Sequence, residues 1–370
     1  MLQLIQPMSD VPASAAWTAA VVLGLWGGGA WPALGSGLAG SLAILIRPNL
    51  VPLAGAVALL VLLRPGPRRV RHVAAFAAGL VPGAATLAAV NHALYGSPLR
   101  SGYGDVGGYF DLAHVAPNLL LYSQWLVEMQ GPFVFLALLA PLVWRLGGPA
   151  ESGDARPPLA AFIAFGGVIV TIYALYLTFD HWSFVRFLLP GLPIALALAV
   201  ASARAGLRRL RAGLRVPLLV ALVAAPLAWG LGYTRTQNLL QLSVAEARYV
   251  TLARYVARTL PATSAFICVL HSGSLRYYAQ RTTVRFDWLD PARLEPLLDR
   301  LERRGYRPYF VLEDWEEPLF RKRFAAHTPL GALDWPPLAR LQVPAVVSIY
   351  DPRDRERHLR GEEWATHAIE

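Results

Sequence analysis

The sequence predicts a mainly α-helical, polytopic transmembrane bundle of about eight spans over residues 1–238. A small extracytoplasmic α/β domain over residues 239–350 and a charged tail over 351–370 follow it. Three observations carry that expectation. Of 370 residues, 55% are hydrophobic and only 16% are charged, where an ordinary soluble domain carries about 25%. The charge is also uneven: residues 1–240 hold 15 arginines and 7 acids, while residues 241–370 hold 19 basic and 17 acidic side chains. Finally, the arginines alternate with long apolar stretches, which is the signature of positive-inside topology and not of a nucleic-acid footprint, so no nucleic-acid partner is expected. The single cysteine, Cys268, excludes an intramolecular disulfide and any multi-cysteine metal site.

Taken in order, Val11–Ala30 is long enough for a first span. Ala33–Leu63 is too long for one at 1.5 Å per residue and is interrupted by Arg47-Pro48-Asn49 and by Pro52. A hairpin follows, because a continuous helix would strand Arg47 near the bilayer centre at a cost of about 3 kcal/mol or more. The remaining spans are Val73–Leu94, Gly131–Leu146, Leu159–Phe179, Phe187–Ala203 and Val216–Tyr233. The arginine loops at 64–71, 145–156 and 204–215 then face the cytoplasm. The amino end around Asp10, the Arg47 turn, residues 95–130, residues 180–186 and everything after Tyr233 face outward. This places the chain in the inner (plasma) membrane, with the C-terminal domain periplasmic or extracellular.

In the outer domain, Leu239–Leu260 reads as a helix, Ala265–Leu270 as a buried strand, Ser274–Gln280 as a short helix and Thr282–Phe286 as a strand. Pro291–Arg304 is helical, with Leu294, Leu297, Leu298 and Leu301 on one face. Tyr309–Leu312 reads as a strand, Trp315–Phe324 as a helix and Ala339–Tyr350 as one last strand. The alternation suggests a two- or three-layer α/β arrangement.

Polar groups at a membrane edge must outweigh their desolvation cost, so they are the most informative positions. Asp10, just before the first span, suits an auxiliary acid at a sugar or cation site; it equally suits an N-terminal helix cap before Pro12. Arg47 and Arg186 sit at outer span ends, where guanidinium groups can clamp a lipid-linked phosphate. Snorkelling, or pairing of Arg186 with Asp180, explains them as well. His181 can add a proton donor or simply belong to an interfacial aromatic belt. The loop Asn91–Gly104 supplies Tyr95 and Tyr103 as ring-stacking faces for a sugar, or is an ordinary turn-rich loop. In the outer domain, His271-Ser272-Gly273-Ser274 joins a strand to a helix, where free N–H groups can bind an anion, although capping by Ser272 or Ser274 is the favoured expectation; Glu313, Asp314, Glu316 and Glu317 read as acids favouring a helix dipole rather than a cation site.

The span order together with Gln6-Pro7-Met8-Ser9-Asp10-Val11-Pro12, Ile46-Arg47-Pro48-Asn49, Asn91–Gly104 and Trp182–Pro193 resembles bacterial polytopic glycosyltransferases of the GT-C class. The likeness is to the family 39, protein mannosyltransferase-like and aminoarabinose-transferase-like proteins, over about residues 1–240. The resemblance implies inverting transfer of a sugar from a polyprenyl-phosphate donor to a glycan, lipid or protein acceptor on the outer face of the bilayer. It implies Asp10 as an auxiliary acid near the donor and Arg47 and Arg186 as basic positions at outer helix ends. It leaves a divalent cation as one means of stabilising the departing phosphate. The family's principal acid lies in a first large external loop, and the chain is expected to begin downstream of that loop, which leaves an N-terminally truncated and inactive chain as one expectation. A transporter or flippase of a lipid-linked or anionic substrate, and a non-catalytic membrane subunit, are the competing expectations.

Overall fold

The computed structural model describes residues 8–26, 29–64, 68–102, 106–146, 159–237, 241–343 and 345–369, and the chain divides into two compact units, Met1–Gln237 and Asn238–Glu370. The first unit is helical. Its described helices are α1 (Asp10–Leu25), α2 (Ala30–Ile46), α3 (Leu53–Leu62), α4 (Arg69–Tyr95), α5 (Val115–Gln130), α6 (Ala140–Leu146), α7 (Leu159–Leu175), α8 (Leu192–Arg208) and α9 (Ala212–Thr236). Stretches of 3₁₀ helix over Pro132–Leu139 and Trp182–Gly191 lead into α6 and α8.

Among the described residues, three helical runs are long and apolar enough to cross a membrane: α4, the run Trp182–Arg208 ending in α8, and α9. A fourth arises if Leu112–Gln130 and Pro132–Trp144, bent by 112°, count as one broken span. Of the eight spans expected from sequence, the described residues thus show three or four. Helices α1, α2, α3 and α7 are apolar but run only 16, 17, 10 and 17 residues. A 17-residue helix extends about 26 Å, short of a hydrocarbon core of about 30 Å. The break inside 33–63 falls where the sequence places it. Pro48 disfavours helical backbone at the residue before it, and Arg47 is accordingly extended at φ −146°, ψ 88°.

A second correction concerns residues 95–130, expected as a connecting loop. They contain α5, whose polar Asn118, Ser123, Gln124 and Glu128 dilute the apolar pattern. Asn118 is buried, and its amide nitrogen donates toward the carbonyl oxygens of Tyr173 (3.1 Å), Ala174 (3.1 Å) and Tyr176 (2.6 Å) at the end of α7. That one side chain satisfies orphan carbonyls of a helix terminus and ties α5 to α7.

Helices α2 and α4 cross at backbone contact. A Cβ on Gly79 would run into the Leu34 carbonyl and come within 3.0 Å of the Gly37 Cα, and a Cβ on Gly83 would lie 2.6 Å from the Ser41 Cα. Small residues four apart on both helices permit this approach. Pro82 interrupts the α4 ladder, and Ser41 repairs it: its hydroxyl accepts from the Gly83 N–H at 2.9 Å and donates toward the Gly79 carbonyl at 2.8 Å.

The second unit is a three-layer α/β/α sandwich. Its mixed six-stranded sheet has the order β2-β1-β3-β5-β4-β6, with β1 Ser264–Ile267, β2 Thr282–Val284, β3 Arg307–Glu313, β4 Ala339–Leu341, β5 Val347–Tyr350 and β6 His367–Ile369. Strands β2, β1 and β3 run parallel, β5 is antiparallel to β3 and β4, and β6 is parallel to β4. Helices α10 (Leu242–Thr259) and α11 (Ser272–Tyr278) cover one face through Leu252, Val256 and Leu275 against Phe266, Tyr309 and Val311. Helices α12 (Leu294–Arg303) and α13 (Glu316–Phe324) cover the other through Leu298, Phe320 and Phe324 against Ile267, Phe310 and Leu312. Alternate residues of each strand serve opposite faces, as the two-residue strand period requires.

Two expectations change here. Residues 339–350 form a hairpin of two strands, β4 and β5, not one strand. Residues 351–370, expected as a solvated tail, contribute α14 (Asp354–Leu359) and the edge strand β6, with Ile369 buried. Their charges are consumed locally, Arg357 by Asp354 and Glu362, and Arg353 by Asp351.

Candidate functional site

In the first unit the polar positions singled out from sequence converge. Asp10 is the first residue of α1, with only 4% of its surface exposed. Its carboxylate does not cap the helix; it pairs through Oδ1 with the Arg47 guanidinium, and its Oδ2 lies 3.8 Å from Arg186 Nε. Arg186 therefore reaches Asp10 and not Asp180. It also donates through Nη1 to Met8 Sδ at 3.2 Å. The two arginine side chains are 14% and 19% exposed, so all three charges sit in a largely dry environment.

Each arginine is held by aromatic rings as well. The Arg47 guanidinium lies 5.1 Å from the Phe187 ring centre, and that of Arg186 lies 4.8 Å from Phe184 and 5.5 Å from Phe187. Arg47 Nε donates to Asn49 Oδ1 at 3.3 Å, and Asn49 Nδ2 donates to the Tyr173 hydroxyl at 2.9 Å. Tyr173 in turn stacks on Phe187, with ring centres 4.8 Å apart and planes 13° from parallel. Asn49, Tyr173, Phe184 and Phe187 were not singled out from sequence. The only local signal for Asn49 was its place in the Arg47-Pro48-Asn49 break, and the aromatics were indistinguishable from core.

Arg186 lines an apolar cleft of about 630 Å³. It runs along Val11, Ser14, Thr18 and Val22 of α1, Leu126 and Met129 of α5, and Val185, Leu189 and Leu192. Ser14 Oγ bridges to the Leu189 carbonyl at 3.0 Å, fixing α1 against the segment that carries Arg186. Two guanidiniums and one carboxylate leave this cluster with one net positive charge, and Arg186 is the member of the three that lines the apolar cleft. That arrangement can grip an anion and shelter a hydrocarbon chain attached to it.

The other sequence candidates lie elsewhere. Tyr95 ends α4 with its hydroxyl against Gly102, and it neither hydrogen-bonds nor ion-pairs with Asp10, Arg47 or Arg186. His181 likewise makes no such bond to the three: its Nδ1 meets the Ser183 hydroxyl at 2.8 Å and accepts from the Ser183 N–H at 3.3 Å, capping the Trp182–Gly191 segment. Tyr103 lies outside the described residues, as does Asp105. Asp111 accepts from the Ala113 N–H at 2.8 Å as a cap. Among the described residues, no group of three or more His, Cys, Asp or Glu side chains is arranged to hold a metal ion.

The second unit holds a buried polar cluster where the parallel strands β1 and β3 end. Glu313 Oε1 accepts from Arg248 Nε at 2.8 Å and meets His271 Nε2 at 3.1 Å, while Glu313 Oε2 accepts from Trp315 Nε1 at 2.8 Å. Burial pushes the Glu313 carboxyl up, but the bonds from His271 and Trp315 and the Arg248 charge outweigh it and hold it below the usual carboxylate range. Glu316 accepts the Leu270 and Glu313 N–H groups at 3.1 and 2.9 Å, yet burial keeps its carboxyl above the usual range. These two acids are thus interior partners and not helix-dipole acids in solvent. Ser272 and Ser274, expected as caps, donate instead to the carbonyls of Val269 (2.7 Å) and His271 (3.0 Å). Burial raises the Cys268 thiol well above its ordinary range, which leaves it unreactive.

Comparison with protein-family models, with curated proteins and with solved structures finds no match in any of the three.

Proposed function

We propose that this chain is a multi-pass membrane glycosyltransferase that moves a sugar from a polyprenyl-phosphate donor to a glycan, lipid or protein acceptor on the extracytoplasmic face, with inversion. One observation supports it above the others: Arg47 and Arg186, distant in sequence, meet at Asp10, and Arg186 also lines an apolar cleft of about 630 Å³. In this reading the guanidiniums hold the phosphodiester and the cleft takes the first part of the lipid chain. The acceptor oxygen forms its bond to the anomeric carbon as the bond from that carbon to the phosphate oxygen breaks. The lipid phosphate leaves with the electron pair, stabilised by the arginines, and the proton of the acceptor hydroxyl passes to water. Asp10 orients the arginines as the auxiliary acid. Assayed in bilayers, the purified chain should release polyprenyl phosphate from a polyprenyl-phosphosugar only when acceptor is present, and Arg186→Ala should weaken donor binding about tenfold or more. Unchanged donor binding in that variant would refute the phosphate role.

A transporter is the second reading, favoured by two interrupted helices, at Arg47-Pro48 and at the 112° bend around Gly131-Pro132. Flux of a lipid-linked or anionic substrate across reconstituted vesicles without sugar transfer would select it.

A further inference from the structure

We propose that Asp10 sets the charge selectivity of the arginine site, so that the site accepts a singly charged phosphodiester and discriminates against a doubly charged phosphate monoester or a diphosphate. The inference rests on the anion-binding role proposed above but goes beyond it: the carboxylate acts on specificity, as a resident competitor for the guanidiniums.

The geometry carries the argument. Asp10 is almost fully buried, one oxygen is paired with Arg47, and the other faces Arg186 Nε at 3.8 Å. Neither arginine can swing away freely, because Arg47 is held by Asn49 and the Phe187 ring and Arg186 by Met8 and the Phe184 ring. An anion in the cleft therefore meets Arg186, which lines it, with the Asp10 carboxylate 3.8 Å from Arg186 Nε and the Arg47 charge paired behind that carboxylate. Attraction to that net single charge grows in proportion to the ligand's charge, whereas the cost of drying the ligand grows with the square of its charge. With one net positive charge, the second negative charge of a monoester adds more desolvation than attraction. Without Asp10 the net charge becomes two, the attraction doubles and the balance reverses. The same logic favours departure of a lipid phosphate once transfer has converted its diester into a monoester, whose second ionisation lies near pH 6.

The test uses the purified full chain in nanodiscs of neutral lipid at pH 8, with dodecyl methyl phosphate as the singly charged probe and dodecyl phosphate as the doubly charged one, corrected for partition into empty nanodiscs. Wild-type protein is expected to bind the diester at least as tightly as the monoester. Asp10→Asn should shift the ratio toward the monoester about tenfold or more, a change of about 1.4 kcal/mol. Asp10→Glu, which keeps the charge, should leave the ratio near that of the wild type. An unchanged ratio in Asp10→Asn, or a tenfold wild-type preference for the monoester, overturns the proposal. Should Asp10→Asn not fold, the wild-type ratio alone decides. If the wild-type chain binds neither probe, the anion-site reading itself fails, an outcome distinct from binding of both probes without selectivity.

Discussion

Replacing Gly79 by alanine tests the closest packing in the helical unit. The added methyl meets backbone and not a movable side chain: the Leu34 carbonyl, the Leu38 nitrogen at 2.9 Å and the Gly37 Cα at 3.0 Å. No rotamer change relieves such a contact, so α2 and α4 must separate. Overpacking of this kind costs about 1–3 kcal/mol. Separation also stretches the Ser41 bonds that bridge the Pro82 interruption, each worth about 0.6 kcal/mol in a membrane protein. Alanine's better helix propensity offsets up to about 1 kcal/mol of this. The net expectation is a loss of about 1–3 kcal/mol. Gly166→Ala in α7 is the control, because a Cβ there meets nothing within 4 Å, and it should be neutral or slightly stabilising. Both are read by reversible unfolding of the purified chain in mixed micelles, following helix content against denaturing detergent. Equal stabilities for the two variants would refute the assigned α2–α4 crossing.

Three further outcomes are expected. Asn118→Ala frees the carbonyls at the end of α7 and should raise amide hydrogen exchange over residues 110–130 and 170–176, at a cost of about 1–3 kcal/mol. Glu313→Gln should destabilise the second unit by about 3 kcal/mol at neutral pH by leaving Arg248 buried without its counter-charge. The native Glu313 carboxyl titrates below its unfolded value of about 4.3, so its contribution is fully present above that pH and is lost as pH falls through the native value. The gap between wild type and variant in near-ultraviolet circular dichroism melts should accordingly persist at the unfolded carboxyl value and close only as pH falls through the lower native one. A chain ending at Glu363 loses β6 and exposes the β4 edge, and should lower the melting temperature of the second unit; an unchanged melt would show that residues 364–370 add nothing to the sheet.

Much of the architecture is readable residue by residue. The Arg47-Pro48 interruption, the apolar face of α12 and the β1, β2 and β3 segments all follow from local chemistry: a proline restricting its predecessor, and periods of 3.6 and 2. What escaped detection depends on distant partners. Helix α5 reads as loop because Asn118 counts as polar, and only the end of α7 turns that polarity into an anchor. Residues 351–370 read as solvated because their charges are dense, and only their mutual pairing and the β4 edge draw them into the fold. Glu313 and Glu316 read as helix-dipole acids because nothing in their own segment announces Arg248, His271 or the Leu270 N–H.

The candidate site divides along the same line. That Asp10, Arg47 and Arg186 each stand out follows from the sequence alone, since a charged group beside a long apolar run is costly wherever the run ends up, and that cost is a local property. That they meet, that Phe184 and Phe187 supply ring faces to the guanidiniums, and that Asn49 and Tyr173 brace Arg47 was decided by helix packing. Coulomb attraction and ring contacts act over a few ångströms of space, and the number of residues along the chain does not reveal which few ångströms those are.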